Sequence, residues 1–506
     1  MAPWICDENA LSCPVSLSWV MGSLTRGGAI LFLLCGTGLG AESFQASGVK
    51  VGEITDTSAI VWVRMTEDSK PNSDGLVFDR RGGRDNSSAR TNKDPATIKW
   101  AAPGAAGKVR VRYSDTPDLR EFKETAWTTV GEDDDFQHQF QLFGLKPDTL
   151  YYYSSETKPL DNSGEHAAVR GRFRTAPRSD QPAAVTFALL NCQMFADRDH
   201  PDGFNMYPAA LSLEPSFVVF TGDNVYYDRD YPYATSRDLA RFHWQRMYSL
   251  PRHEELLRSV GSYWMKDDHD TLTDDCWPGK AENRLAPFTF AEGQRVFREQ
   301  VPMGERSYRT FRWGRDLQIW LIEGRDFRSP NTLPDGPQKS ILGSEQKQWL
   351  RETLLSSDAT WRILISPTPW VGPDRGGNKA DNYANPSFHH ESVEMLQWVQ
   401  NKLGDNFAII CGDRHWQYHS VHPQFGVREF SVGPCSDEHA QHPRENRAWH
   451  RFFRDMGGFA SVSVARVDDV PQLSIRLHDT HGKVVHEWMK RDGSPPSALN
   501  REPSED

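Results

Sequence analysis

An N-terminal all-β sandwich followed by an α/β domain is what the sequence predicts, on three observations. Apolar and polar residues alternate with period two as far as about Pro177, and buried apolar runs separated by helical stretches begin near Val185. The chain has 506 residues, too many for one ordinary domain of about 100–200.

The first domain is placed at residues 44–177. Its segments "SAIVWVRM", "KVRVRYSD", "AWTTV", "FQHQFQL" and "VRGRFRTA" alternate as half-buried strands do. In "GLKPDTLYYYSSE" a Leu-x-Pro turn leads tyrosines into a strand. That is the pattern of a tyrosine corner, so the domain resembles a fibronectin type III or related immunoglobulin-like module. Between its strands, Glu67 to Gly107 is polar and long for a sandwich loop. Two readings stay open: a solvated insertion, or a lid presenting Arg80, Arg81 and Arg84 to an anionic substrate.

The second domain is placed at residues 183–490. Its apolar runs are "VTFALLNC", "SFVVFTGD", "SYWMKDDH", "LQIWLIEGRD", "WRILISPTP" and "FAIICGDRH". Helices are expected over Ser236–Leu250, Ser344–Ser356 and Glu391–Leu403, with Ser344 as an N-cap. Strands and helices in alternation predict a largely parallel sheet covered on both faces. Five of the six runs end in residues able to bind metal or phosphate: Cys192, Asp223, Asp268 with His269, Arg325, and Asp413 with His415. Ligand sites of open α/β sheets lie at those carboxyl ends.

The formal charge of −11 excludes a duplex nucleic acid partner held by phosphate neutralisation. Arg26 followed by "GGAILFLLCGTGLGA" predicts a secretory signal within residues 1–41, cleaved near Ala41, and an extracytoplasmic protein. The alternative is an N-terminal core helix. Residues before Met21 fit no n-region, which leaves Met21 as a second possible start. The stretch is short for a membrane span, and large residues precede Cys35, so neither a stable membrane anchor nor a lipid anchor is expected. Cys192, Cys276, Cys411 and Cys435 are too few and too scattered for a disulfide framework. The tail, residues 491–506, is rich in Pro, Ser and acid and is expected to be disordered.

In "GDNVYYD", Asp223 suits a carboxylate bridging two metals, and Tyr226 a phenolate returning to one of them, which favours Fe(III). Cys192 would complete that ion's sphere as thiolate; by itself it reads as a small buried hydrophobe. The ordered motifs "NCQ", "GDNVYYD", "KDDHD", "EGRDFRS" and "GDRHW" resemble those of the alkaline phosphatase D (PhoD-like) family of calcineurin-like metallophosphoesterases. The resemblance implies an N-terminal sandwich and a catalytic α/β domain in which two β-sheets are flanked by helices. It further implies a secreted metal-dependent phosphoesterase acting on mono- and/or diesters through a metal-held hydroxide.

By motif, Cys192, Asp223, Tyr226 and His415 become iron ligands, and Asp268 and Asp413 ligands of a second metal. Oxygen where the wider superfamily has nitrogen favours Ca²⁺, one ion or two, over other divalent metals there. His269 is assigned as general acid and Arg325 as the fork for phosphate oxygens, the alternative for Arg325 being a salt bridge to Asp326 or Glu323. Ser366 and Thr368 stand where the superfamily often has a metal-binding histidine. His389, His390, His419 and His422 read as surface or outer residues, and the acids of "DDCW" as a solvated face or an extra cation site. The substrate class is a phosphoester, whether small molecule, polymer or lipid head group. The rivals are a dedicated phosphodiesterase of phospholipase D type and a secreted binding protein without catalysis.

Overall fold

The computed structural model describes residues 43–78, 89–161, 168–375 and 379–493. The expected leader, Arg80, Arg81, Arg84 and nearly all of the expected tail lie outside these residues. Among them, no helix is long and apolar enough to cross a membrane, and Cys192, Cys276, Cys411 and Cys435 are buried and unpaired.

The N-terminal part supplies β1 (Val49–Gly52), β2 (Ser58–Arg64), β3 (Gly107–Ser114), β4 (Lys123–Glu124), β5 (Thr128–Val130), β6 (Gln137–Phe143), β7 (Leu150–Pro159) and β8 (Ala168–Arg174). There follow β9 (Val185–Leu190), α1 (Met206–Ser212), β10 (Phe217–Thr221), α2 (Arg237–Tyr248), α3 (Pro251–Ser259), β11 (Gly261–Met265), α4 (Phe290–Gln300), β12 (Arg309–Trp313) and β13 (Leu317–Leu321). The remainder is α5 (Gly343–Ser356), β14 (Trp361–Ser366), α6 (His389–Lys402), β15 (Phe407–Cys411), β16 (Gln417–Val421), β17 (Arg428–Ser431), β18 (His450–Arg454), β19 (Phe459–Val467), β20 (Val470–His478) and β21 (Val484–Arg491).

Two mixed sheets, rather than one largely parallel sheet, form the α/β part. One has nine strands in the order β21-β20-β19-β9-β10-β11-β1-β2-β6, the other seven in the order β12-β13-β14-β15-β17-β16-β18. Strands β9, β10 and β11 run parallel, as do β13, β14, β15 and β17, while β19, β12 and β16 pair with their edges antiparallel. The period of two explains why both faces are apolar. Phe217 and Val219 of β10 point into the core between the sheets, and Val218 and Phe220 point outward under the helices. Across the inner core the Phe217 and Trp313 rings lie 4.5 Å apart, and Trp313 Nε1 donates to Tyr263 Oη at 3.0 Å. Helices α1 to α4 cover the nine-stranded sheet, and α5 and α6 the seven-stranded one.

The helices fall close to where the sequence places them. Ser236 caps α2 by accepting from the Leu239 N–H, and Thr289 with Glu292 forms a capping box on α4. Ser344 is not the cap of α5, which already begins at Gly343; Ser340 Oγ accepts the Gly343 N–H instead. Arg491, expected in the tail, is the last residue of β21.

Part of the segment expected to form the N-terminal sandwich pairs directly with its neighbour. Strands β1, β2 and β6 extend the nine-stranded sheet through a parallel bridge between Gly52 and Ser262. A Cβ at Gly52 would lie 2.6 Å from Pro302 O and 2.8 Å from Ser262 O, so only glycine permits this join. Strands β3, β4, β5, β7 and β8 form a separate five-stranded sheet whose Val109, Val111, Tyr153 and Phe173 share the inner core. The turn before β7 keeps the tyrosine contact that the sequence signals: Tyr151 Oη accepts the Lys146 N–H at 2.9 Å.

The join is sealed by aromatic burial. Trp62 has no exposed surface and donates Nε1 to Glu299 O at 2.8 Å. Lys50 Nζ stands 4.0 Å from the Trp62 ring centroid and donates to Gln300 O at 2.6 Å. Trp62→Ala is expected to cost about 3–5 kcal/mol, the usual range for a buried aromatic truncated to alanine. Denaturant unfolding followed by tryptophan fluorescence and far-ultraviolet dichroism should show one shared transition at a lower midpoint. Two separate transitions would instead establish the N-terminal strands as an independent domain.

Candidate metal centre

Every predicted site residue sits just past the carboxyl end of a strand: Cys192 after β9, Asp223 and Tyr226 after β10, Asp268 and His269 after β11, Arg325 after β13, Asp413 and His415 after β15. The chain turns sharply there. Cys192, Asp223 and Asp413 all have left-handed backbone, with φ of 50°, 51° and 63°. Asp tolerates this conformation; Cys rarely adopts it, and such departures gather where a side chain must be aimed. Gly412 lets the strand ends crowd together: a Cβ there would come within 2.8 Å of Asn191 Oδ1, Pro367 O and Thr221 O.

These turns bring Cys192, Asp223 and His415 together, with one ligand atom from each within 4.8 Å of the others. Tyr226 joins the group, its Oη donating to Asp223 Oδ2 at 3.2 Å, while the Cys192 thiol lies 3.5 Å from the same oxygen. A second group meeting the same limit, Asp223, Asp268 and His269, shares Asp223 with the first. A carboxylate common to both groups is the arrangement expected of a bridging ligand.

The electrostatics fit a cation. Burial raises the Asp223 carboxyl well above its usual range, and the Asp268 charge adds to it. Burial likewise pushes the Cys192 thiol and the Tyr226 phenol up, each reinforced by Asp223. Among the described residues Asp223 pairs with no lysine or arginine; its oxygens meet only the thiol, the phenol and the His269 N–H. A thiol, a phenol, an imidazole and a carboxylate around one point are the donors of a transition-metal site, and positive charge there would relieve all the acidic groups at once.

Asp268 behaves differently. Burial alone would raise it, but Arg325 and His269 outweigh burial and hold the carboxyl well below the usual range. Asp413 lines the same cavity outside both groups; burial pushes it up to about 7, although Arg414 Nη1 lies 3.1 Å from Oδ2. His269 Nδ1 is 2.6 Å from Asp228 Oδ1, a contact that fixes the ring and leaves Nε2 facing the cavity and Asp274 at 3.7 Å. Burial lowers His269, but Asp228 and Asp268 outweigh it and raise the imidazole above its usual range.

Arg325 is a correction. It has no exposed surface, and every nitrogen is engaged: Nε with Asp267 Oδ1 at 2.5 Å, Nη1 and Nη2 with Asp381 at 2.7 and 2.9 Å. It is neither open to phosphate oxygens nor paired with Glu323 or Asp326, which clasp Lys266 Nζ at 3.0 and 2.6 Å. The acids of "DDCW" are neutralised too: Lys379 Nζ lies 2.9 Å from Asp275 and 3.4 Å from Asp274. A third acidic group, Asp268, Asp275 and Asp381, is thus already occupied by Arg325, Arg328 and Lys379. Ser366 Oγ donates to Thr368 O and takes no part in either group.

Sequence reasoning passed over His439. Its Nε2 lies 2.9 Å from Tyr226 Oη, its Nδ1 2.9 Å from Asp197, and its ring 4.3 Å from that of His415. It follows β17, whose short polar-edged run "REFS" does not announce a buried strand, yet the rule of strand ends applies to it as well. Asp228, which orients His269, is the other omission. His389 and His390 are exposed, and His419 is buried against Phe430 and His486 away from this site. The groups open into a cavity of about 310 Å³ whose rim carries Arg229, Arg375 and Lys379.

Removing a partner from a buried ion pair typically costs about 3–5 kcal/mol. Arg325→Ala should therefore lower the thermal midpoint markedly, because Asp267 and Asp381 are left facing each other. A variant of unchanged stability with a raised KM would return Arg325 to the role of substrate fork.

Comparison with known proteins agrees with this geometry. The family model described as PhoD-like phosphatase matches residues 187–487, and that of the PhoD-like phosphatase N-terminal domain residues 39–177. Alkaline phosphatase D of Bacillus subtilis (strain 168) is 23% identical over 325 residues, which cover 56% of this chain and 54% of that protein. The chain thus spans about half the length of this relative. A solved structure described as PhoD superposes with a TM-score of 0.69 at 17% identity, covering 89% of this chain and 92% of its own. The purple acid phosphatase PPD1 from yellow lupin (Lupinus luteus) seeds does so with 0.59 at 13% identity, covering 87% and 73%. On the match across most of the second domain, with strand-end ligand groups to go with it, the chain belongs to the PhoD-like phosphatase family.

Proposed function

We propose that the cavity at the strand ends hydrolyses phosphate mono- or diesters. The observation that carries the reading is the pair of ligand groups sharing Asp223, which opens into a cavity lined by both acidic and basic side chains. Cys192, Asp223, Tyr226 and His415 would hold one ion, and this sulfur, phenol and imidazole set suits Fe(III). Asp223 and Asp268, with Asp413 beside them, would hold the second, and a sphere of oxygens suits Ca²⁺. When bound, ions of this kind lower the pKa of water and polarise phosphoryl oxygens.

The chain's own residues do the rest. His269, held at Nδ1 by Asp228, would present Nε2 to the leaving alkoxide as its proton donor. Arg375, which lines the cavity, would meet the phosphate charge, the task expected of Arg325, while Arg229 and Lys379 beside it are paired with Asp274 and Asp275. Arg325 instead fixes Asp267 and, through Asp381, the wall behind Asp268. A cleavable leader ending near Ala41 would place this chemistry outside the cytoplasm.

Plasma mass spectrometry of the purified chain should find iron together with calcium. Asp223→Asn should lose bound metal and reduce turnover of p-nitrophenyl phosphate and bis-p-nitrophenyl phosphate by more than about tenfold, which corresponds to about 1.4 kcal/mol. A variant with full metal content and wild-type turnover would remove Asp223 from the bridging position, and zinc alone would displace the iron-calcium assignment.

A further inference from the structure

A second cavity, of about 580 Å³, adjoins the metal cavity. Glu438 lines both, and the short turn after Cys192 divides them: Met194 and Asp197 face the metal cavity, Phe195 and Ala196 the other. Its walls include Ile98 and Trp100 of the N-terminal insertion, Phe195 and Arg198 of that turn, and Tyr231. The phosphoesterase reading does not use it.

Trp100 is the unusual residue in it. Its φ is +74°, a conformation that a bulky aromatic residue adopts only when its surroundings impose it. The surroundings do impose it. The Trp100 N–H donates to Asn72 O at 2.7 Å, Lys99 N to Leu76 O at 2.9 Å, and Leu76 N to Thr97 O at 2.8 Å. Ile98 is anchored against Leu239 and Phe242 of α2. The insertion is thereby locked with a half-buried indole facing the cavity.

Opposite it the turn is locked too. Buried Asp230 accepts the Phe195 and Ala196 N–H groups at 2.9 and 3.0 Å and is itself 3.5 Å from Arg246. Phe195 lies edge-on to Trp100 with centroids 6.3 Å apart. The Arg198 guanidinium stands 4.1 Å from the Phe195 centroid and 5.8 Å from that of Trp100. Aromatic faces, a stacked guanidinium and nearby carboxylates of Asp199 and Glu438 thus surround one space.

That combination recognises a flat ring with hydrogen-bonding edges. Nucleobases stack on aromatic side chains and guanidinium planes and offer donors and acceptors at their rims. An acyl chain would leave the charged lining unsatisfied. We propose that this cavity is a subsite for the nucleoside portion of a nucleotide ester whose phosphate lies in the metal cavity, with the half-buried Trp100 as the platform that sets specificity and Phe195, covered by Arg198 and Arg246, as the wall behind it. The proposal rests on the phosphoesterase reading for the position of the phosphate, while base binding by itself does not.

The test compares adenosine 5′-monophosphate with methyl phosphate as substrates, and with inorganic phosphate as ligands in calorimetry, for the wild-type chain, Trp100→Ala and Trp100→Phe. Wild type should favour the adenosine ester in kcat/KM and bind adenosine monophosphate more tightly than phosphate. Trp100→Ala should shrink both preferences about tenfold, in the range found for loss of a base–aromatic stack, and Trp100→Phe should restore most of each. An adenosine preference that Trp100→Ala leaves intact, no preference at all, or a preference for dodecyl phosphate over the nucleotide would overturn the subsite. Trp100-dependent nucleotide binding in a chain that turns over no ester would uphold the subsite and sink the phosphoesterase reading; turnover without such binding would do the reverse.

Discussion

Carboxylates crowded at one sheet edge in a medium of low dielectric are the constraint around which this protein is organised. Asp223, Asp267, Asp268, Asp270 and Asp381 are all buried there. Each would cost several kcal/mol if left charged and unpaired. Arg325 bridges Asp267 and Asp381, Arg328 adds to Asp381, and Asn224 gives Asp270 both its backbone and side-chain N–H. Asp223 alone is left to a thiol, a phenol and one backbone N–H. The protein therefore concentrates its electrostatic deficit on the carboxylate that two ligand groups share, and a bound cation is the group that cancels it.

The fold serves this convergence. Parallel strands at the centre of two sheets deliver their ends to the same edge, left-handed turns at Cys192, Asp223 and Asp413 redirect the side chains, and Gly412 leaves room for the ends to meet. The inner core of Phe217, Tyr263, Phe311 and Trp313 holds the sheets in register beneath them. Fusion of β1, β2 and β6 to the nine-stranded sheet has a further effect. It places Trp100 of the N-terminal part in the lining of the cavity next to the ligand groups.

The two cavities are separated by a single turn. Met194 and Asp197 look toward the ligand groups, Phe195 and Ala196 toward the aromatic cavity, and Asp230 pins the turn from beneath. Asp230 closes the same segment, "GDNVYYDRD", that contributes Asp223, Tyr226 and Asp228. One stretch of chain thus sets the shared ligand, the phenol, the orientation of His269 and the wall between the two cavities.

Much of this was legible in the sequence, because strand ends announce themselves locally. An apolar run followed by Gly, Asp, His or Cys identifies a buried strand and what it carries, and so Cys192, Asp223, Tyr226, Asp268, His269, Asp413 and His415 could be named and do line one region. The tyrosine corner and three helix spans were readable for the same reason, each being a matter of neighbours within a few residues. Partner choice across the chain was not. Arg325 pairs with acids 58 and 56 positions away, His439 reaches Tyr226 from 213 positions away, and Trp100 faces a cavity whose other walls include Phe195, Tyr231 and Glu438. The sequence by itself determined which chemical groups stand at the strand ends. Only the tertiary structure decided which of them are spent on one another and which are left for a ligand, since that depends on distances and burial created when remote segments pack.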